Sequence, residues 1–227
     1  MTVNVEDMVI GILGGTGDQG RGLARRLALA GHRVLIGSRS EERARAAAAE
    51  LSGETGEAGE AGEVDGMTNS DTARNADVVI AAIPWEGHGE LLSSLAAELS
   101  GKIVIDCVNP LAFDARGAYS LPVAEGSAAE QAAGLLPDSR VVAAFHHVSA
   151  KLLLDPEVAA MDLDVLVLGD DREATDVVQA LAGRIPGMRG VYAGRLRNAG
   201  QVEALTANLV SINRRYKAHA GLRVTDV

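Results

Sequence analysis

The sequence predicts a doubly wound α/β fold, with a mostly parallel sheet and a smaller C-terminal α/β lobe. Three features lead there. A short apolar run is followed by a glycine cluster and then by an amphipathic helix. Further apolar runs of strand length recur, with helical segments between them. The same alternation restarts at about Leu163. Strands that alternate with helices in this way form parallel βαβ units, and the glycine cluster makes the first of them Rossmann-type.

The first unit is the most informative. Residues 8–13, "MVIGIL", have the unbroken apolar character of a buried parallel strand. Residues 20–31, "GRGLARRLALAG", place Leu23, Leu27 and Ala30 at helical spacing, and Gly31 is a stop signal. Between them, Gly15-Thr16-Gly17-Asp18-Gln19-Gly20 matches G-x-G-x-x-G. Gly15 allows the tight turn, Gly17 lets a pyrophosphate approach the backbone, and Gly20 lets helix and strand pack closely. The N–H groups at the helix start then face the anion.

The second strand, Val34-Leu35-Ile36, ends in Gly37-Ser38-Arg39. An NAD site places an Asp or Glu here for the ribose hydroxyls. Ser38 and Arg39 would instead hold a 2′-phosphate, and Arg43 could close the clamp one helical turn later. The expected cofactor is therefore NADP(H). Residues 52–63, "SGETGEAGEAGE", form an acidic, glycine-rich repeat that predicts a solvated loop.

Further parallel strands are expected over "ADVVIAAIPW" (76–85) and "KIVIDCVNP" (102–110), with a helix over "GELLSSLAAELS" between them. Ligands gather at the carboxyl ends of such strands, which makes Ile83, Pro84, Trp85, Val108, Asn109 and Pro110 candidate site residues. Trp85, the only tryptophan, either lines a pocket or fills the core. The strand in "SRVVAAFHHVSA" (139–150) ends in His146-His147. Adjacent residues of an extended segment point to opposite faces, so these two histidines do not suit one metal. His146 either faces the cleft or sits partly exposed at the surface. Beyond Leu163 come the strand "DVLVLG", a helix over "REATDVVQALAGRI", the strand "GVYAG" and a long helix over about 198–220. The expected division is a dinucleotide-binding domain at 1–147 and a smaller domain at 148–227 that closes a cleft over the nicotinamide.

Composition removes other classes. Of 227 residues, 31 are acidic and 21 basic, so the formal charge of −10 argues against nucleic acid and anionic membranes as partners. Aromatic residues make up 3%, too few for base-stacking platforms. The lone Cys107 fits a reducing compartment, and the N-terminus does not read as a signal peptide, so a cytoplasmic location is expected.

The segments "GILGGTGDQGRGLARRLA", "GSRSEERA", "IPW", "AFHHVSA" and "NAGQVEALTANLVSINRRY" occur in that order over nearly the whole chain. In this combination they resemble the NADP oxidoreductases that use the deazaflavin coenzyme F-420. The resemblance implies hydride transfer between the two coenzymes and a homodimer. It implies pyrophosphate contacts from Thr16 to Gln19, and a 2′-phosphate held by Ser38, Arg39 and Arg43. Trp85 and Ala150 match positions that line the NADP site, and His146 and Val148 match the segment close to the deazaflavin ring. Two departures stand out: the acidic repeat at 52–63, and "VNP" at 108–110 in place of the archaeal turn. Two other classes use the same NADPH site. One is a reductase of a flavin, ferric iron, or a small imine or carbonyl. Carbonyl reduction calls for a proton donor, and His146 or Tyr119 would serve. The other is a non-enzymatic NADPH-sensing protein.

Overall fold

A computed structural model describes residues 3–55 and 61–227. The chain begins with β1 (Ile10–Leu13), α1 (Asp18–Leu29), β2 (Val34–Ser38), α2 (Glu41–Thr55), β3 (Val64–Thr68), α3 (Asn69–Asn75) and β4 (Val78–Ala81). A 3-10 turn at Trp85–Gly87 leads into α4 (His88–Ser94), α5 (Ala96–Leu99) and β5 (Ile103–Asp106). A hairpin of β6 (Leu111–Asp114) and β7 (Gly117–Ser120) follows, then α6 (Ala128–Leu135), β8 (Arg140–Ala143) and α7 (Ala150–Leu154). The chain closes with β9 (Leu163–Gly169), α8 (Arg172–Arg184), β10 (Met188–Gly194) and α9 (Ala199–Tyr216).

Eight strands form one sheet in the order β10-β9-β8-β5-β4-β1-β2-β3. From β1 the chain winds outward through β2 to β3, then returns to β4 on the other side of β1. The switch point therefore lies between β1 and β4, where a crevice opens at the carboxyl ends of the strands. All strand pairs in this sheet are parallel except β8 with β9. Both faces are covered, so β1, β2, β4 and β5 are buried throughout and carry no polar alternation. Side chains still alternate between two cores. Ile10, Ile12, Val78, Ile80, Ile103 and Ile105 belong to one, and Leu13, Val79, Ala81 and Val104 to the other.

The C-terminal segment continues the main sheet. β9 pairs with β8 through Val142–Gly169 and Ala143–Leu168, and β10 extends the sheet beyond it. The expected boundary, 147/148, lies between β8 and β9, and strand direction reverses between those two strands within one sheet. Two other local differences have physical causes. The helix expected over 89–100 is interrupted at Leu95, whose N–H bonds to the Leu92 carbonyl in a tight turn. Residues 52–55 of the acidic repeat continue α2, whose alanine-rich sequence favours the helix, and residues 56–60 lie outside the described residues.

One buried cation ties α7 to α1. Arg26 is 3% exposed. Its guanidinium donates to the carbonyls of Leu153 (2.8 Å), Val158 (2.6 Å), Leu152 (2.6 Å) and Asp155 (3.0 Å). These include carbonyls that the short α7 leaves unpaired at its C-terminal end. Arg26→Ala would orphan several acceptors at once, each worth about 1–3 kcal/mol. We expect a loss of at least about 3 kcal/mol in urea unfolding, with Arg26→Lys recovering only part of it.

Candidate active site

The crevice between β1 and β4 holds a cavity of about 1000 Å³. Its first wall is the turn from β1 into α1. Gly14 adopts φ +66°, and a Cβ there would lie 2.5 Å from Ile83 Cγ2. The Gly15 N–H donates to the Gly37 carbonyl at 2.9 Å, which fixes the turn to β2. A Cβ on Gly20 would lie 2.6 Å from the Gly15 Cα, so α1 can approach the turn only as glycine. Gly17 is different: the nearest atom to its Cβ would be Gly14 O at 3.8 Å. Nothing within the chain requires a glycine there, and the open space faces the cavity. Gly17 caps α1 without a side-chain bond. The first helical N–H groups, at residues that line the cavity, have no intrahelical partner and are suited to receive an anion.

Thr16, Gly17, Asp18 and Gln19 line this end of the cavity, and Ser38, Arg39 and Arg43 line its next stretch. Ser38 is buried, and its hydroxyl oxygen accepts the Ser40 N–H at 3.2 Å. Arg39 and Arg43 are exposed, and among the described residues neither pairs with an acid. Their neighbour Arg45 bonds Glu41 at 2.6 Å and is thereby occupied. Two unneutralised guanidinia beside a hydroxyl, at the end of β2, suit a phosphate on the adenosine ribose.

The far end is built from the carboxyl ends of β4, β5 and β8. Ile83, Pro84 and a half-buried Trp85 form one side; Val108, Asn109 and His146 form the other. Asn109 is held from two directions. Its amide donates to the His146 carbonyl at 3.2 Å, and its oxygen accepts from the Thr206 hydroxyl of α9 at 3.0 Å. His146 and His147 diverge as their sequence position suggests. His147 Nε2 bonds the Val202 carbonyl at 2.6 Å inside the protein, whereas His146 borders the cavity. His146 is 5% exposed, and neither ring nitrogen has a hydrogen-bond partner of proper geometry. Burial pushes its pKa down to about 4, against the opposing field of Asp106 and weak support from the backbone of Cys107 and Val108. The ring is neutral near pH 7. A neutral, unpartnered imidazole in a cavity wall is suited to hydrogen-bond a ligand.

Several residues singled out from sequence are not on this lining. Gly15 is buried beneath the turn. Val148 is 6% exposed and belongs to the apolar core. Ala150 begins α7, which packs against α1, and Pro110 lies beyond the cavity wall. Tyr119 is 46% exposed on the hairpin, away from the cavity. Conversely, Asn69 lines the site and accepts the Gly14 N–H at 3.2 Å, and α4 contributes Glu90, Leu91 and Ser94. Asn69 carries no spacing signal. It reaches the turn only because α3 folds back behind β1.

The family described as NADP oxidoreductase, coenzyme F420-dependent, matches residues 9–110. The F420-dependent NADP reductase of Methanothermobacter marburgensis is 40% identical over 225 residues, which cover 97% of this chain and 99% of that protein. The chain belongs to the F420-dependent NADP reductases. A solved structure from Arthrobacter sp. FB24, assigned to the same reductases, is 29% identical, with a TM-score of 0.79 over 96% of this chain and 99% of that one. The rat metalloreductase STEAP3 is 32% identical over 203 residues, 88% of this chain but only 37% of that longer protein.

The glycine geometry separates folding from binding in this reductase. Gly20→Ala should destabilise the fold by about 1–3 kcal/mol, because backbone must move. Gly17→Ala should leave the melting temperature within a degree or two of the parent yet weaken NADPH binding clearly, since its methyl enters only the ligand's space. Thermal melts and NADPH titrations of both variants check this. A Gly17→Ala protein that binds NADPH as the parent does would remove the pyrophosphate from this turn.

Proposed function

We propose that the protein catalyses reversible hydride transfer between NADP(H) and coenzyme F-420. Hydride passes between nicotinamide C4 and the ring carbon that stands where a flavin has N5. The observation that carries this reading is the single continuous cavity. It runs from the helix start of α1, past two arginines without acidic partners among the described residues, to a wall with a neutral histidine. Thr16 to Gln19 bind the pyrophosphate, and Ser38, Arg39 and Arg43 select the 2′-phosphate. Ile83, Pro84, Trp85 and Asn109 surround the nicotinamide, and His146 orients the deazaflavin. Val148 and Ala150 act from behind the wall, through the core and α7. Residues 148–227 complete the cleft by supplying Thr206 to hold Asn109.

These residues perform no bond chemistry of their own. They hold two rings in contact and exclude water, which is what transfer between two carbons requires. Reduction of a carbonyl would need an acid at the substrate oxygen. His146 is a poor one, because burial keeps it neutral near pH 7, and Tyr119 lies off the cavity. The reading also carries a homodimer and a cytoplasmic location. Exposed Phe113 and Tyr119 on the hairpin, with Ile212 and Tyr216 on α9, support the first. The lone reduced Cys107 supports the second, and no helix among the described residues is long and apolar enough to cross a membrane.

Arg39→Ala should weaken NADPH by roughly ten- to hundredfold, the value of one charge-assisted contact of about 1.5–3 kcal/mol, while NADH changes little. Equal loss for both nucleotides would mean that Arg39 does not read the 2′-phosphate. His146→Ala should raise the KM for the deazaflavin or lower turnover modestly, and leave NADPH binding nearly unchanged. Across pH 5 to 9 the parent should show no limb from His146, whose pKa of about 4 lies below that window. A loss of about 10²–10⁴-fold together with a vanished pH limb would identify His146 as a general acid, and the hydride-only mechanism would fall.

A further inference from the structure

Beneath the far end of the cavity lies a polar cluster that the hydride-transfer reading does not use. His88, the first residue of α4, is fully buried. Its Nε2 lies 2.6 Å from Asp106 Oδ2, at the carboxyl end of β5, and its Nδ1 lies 3.0 Å from Gln131 Oε1 on α6. The Gln131 amide nitrogen donates to Glu125 at 3.3 Å, which turns its oxygen toward the histidine. Both partners of the ring are then acceptors, a setting that favours the doubly protonated ring. Burial opposes that charge, but the bond to Asp106 and its field, helped by Gln131, outweigh it and hold the pKa above the ordinary value.

The pair touches both walls. Asp106 is also fully buried, and its second oxygen accepts the N–H of Val108, a residue of the cavity lining, at 3.0 Å. On the other side the His88 ring sits 5.5 Å from the Trp85 indole, tilted by 34°. We propose that His88 and Asp106 are a positioning pair for the reaction: they fix the Trp85 wall and the Val108–Asn109 wall at the separation that two stacked coenzyme rings need. This rests on the reading of the cavity as the hydride-transfer site. Stability alone is a weak reason for the pair, because well-packed apolar side chains often replace a buried ion pair without loss. Apolar packing, however, could not grip a backbone N–H on one wall and an indole face on the other.

The groups that face His88 and Asp106 are few. Gln131 and, behind it, Glu125 lie toward α6. Glu203 of α9 is 2% exposed and accepts the N–H groups of Ala128 and Ala129. Burial raises Glu203 to about 7 against those bonds, so near neutrality its charge is only partial. His146 approaches from β8 and is neutral. Asp106 is therefore the principal counter-charge.

Trp85 is the only tryptophan, so its emission reports on the pair directly. An imidazolium against an indole quenches more strongly than a neutral imidazole. In the parent, emission should rise as His88 loses its proton, at a pH above that of an ordinary histidine. Asp106→Asn keeps an acceptor for Val108 but removes the charge. The rise should move to lower pH, and kcat with NADPH and the deazaflavin should fall by about 10- to 100-fold, as for a small misplacement of reacting groups. The NADPH Kd should change by less than about threefold, because the phosphate contacts are remote. Gln131→Leu, which removes one bond at the partly exposed edge of the cluster, should shift the emission profile in the same direction by less, and it covers the case in which Asp106→Asn does not fold. An unmoved emission profile, or unchanged kcat in folded variants, overturns the proposal. So does a loss of kcat matched by an equal loss of NADPH affinity, the mark of general destabilisation. If the parent turns over no deazaflavin while its emission profile still responds to the variants, the functional reading fails and the pair is shown to set the walls of a cavity with another use.

Discussion

The closest backbone contact in the site sets the geometry of everything around it. Where α1 meets the end of β1, a Cβ on Gly20 would come within 2.6 Å of the Gly15 Cα. This approach aims the open end of α1 at the crevice. It also carries α1 across the sheet far enough for Arg26 to reach the carbonyls of α7. The same helix therefore presents an anion site at its start and anchors the approach to β9 near its end. A shift of α1 away from β1 would disturb both, so the binding turn and the C-terminal strands are mechanically linked through one helix.

The sequence makes the α/β units legible where burial on both faces leaves unbroken apolar runs. β1, β4, β5 and β8 fall within the segments read as strands, and β2 runs two residues past its expected Val34–Ile36, because parallel strands under two helical layers are mostly apolar. It does not reveal that β9 enters the sheet antiparallel to β8. A strand's neighbour and direction are set by tertiary packing, and "DVLVLG" would read the same in a separate lobe. The hairpin of β6 and β7 is equally silent, since its half-exposed residues show neither apolar run nor clean alternation. In the site, the glycine turn and the arginines stand out because each answers a local chemical demand at fixed spacing. Asn69 and the His88–Asp106 pair do not, because they act through contacts between residues 18 or more positions apart.

Two histidines near one cavity show how environment divides one side chain into different roles. His88 and His146 are both almost fully buried. The first has a carboxylate at 2.6 Å and a carbonyl oxygen at 3.0 Å, so its charge is stabilised despite desolvation. The second has no well-formed hydrogen bond to either nitrogen among the described residues, so desolvation outweighs the weak support of the Cys107 and Val108 backbone and its pKa falls. The ring whose charge is favoured lies behind Trp85 and, on the proposal above, serves geometry. The neutral ring borders the cavity and is left to meet a ligand.

That division bears on the chemistry. A protonated histidine beside the nicotinamide would repel the positive ring of the oxidised cofactor and bias the reaction in one direction. The positive side chains that border the cavity, Arg39 and Arg43, lie at the end of β2, while the wall by β4, β5 and β8 carries apolar Ile83, Pro84 and Val108, the amide of Asn109, the neutral His146 and, beside Trp85, the acidic Glu86 and Glu90. The protein as a whole is acidic, with a formal charge of −10, so two arginines left without acidic partners among the described residues form a local exception. They would concentrate attraction for an anionic group at the end of β2. On the proposed reading, transfer between the two carbons takes place beside a wall whose lining bears no cationic side chain, where distance rather than proton transfer would govern the rate.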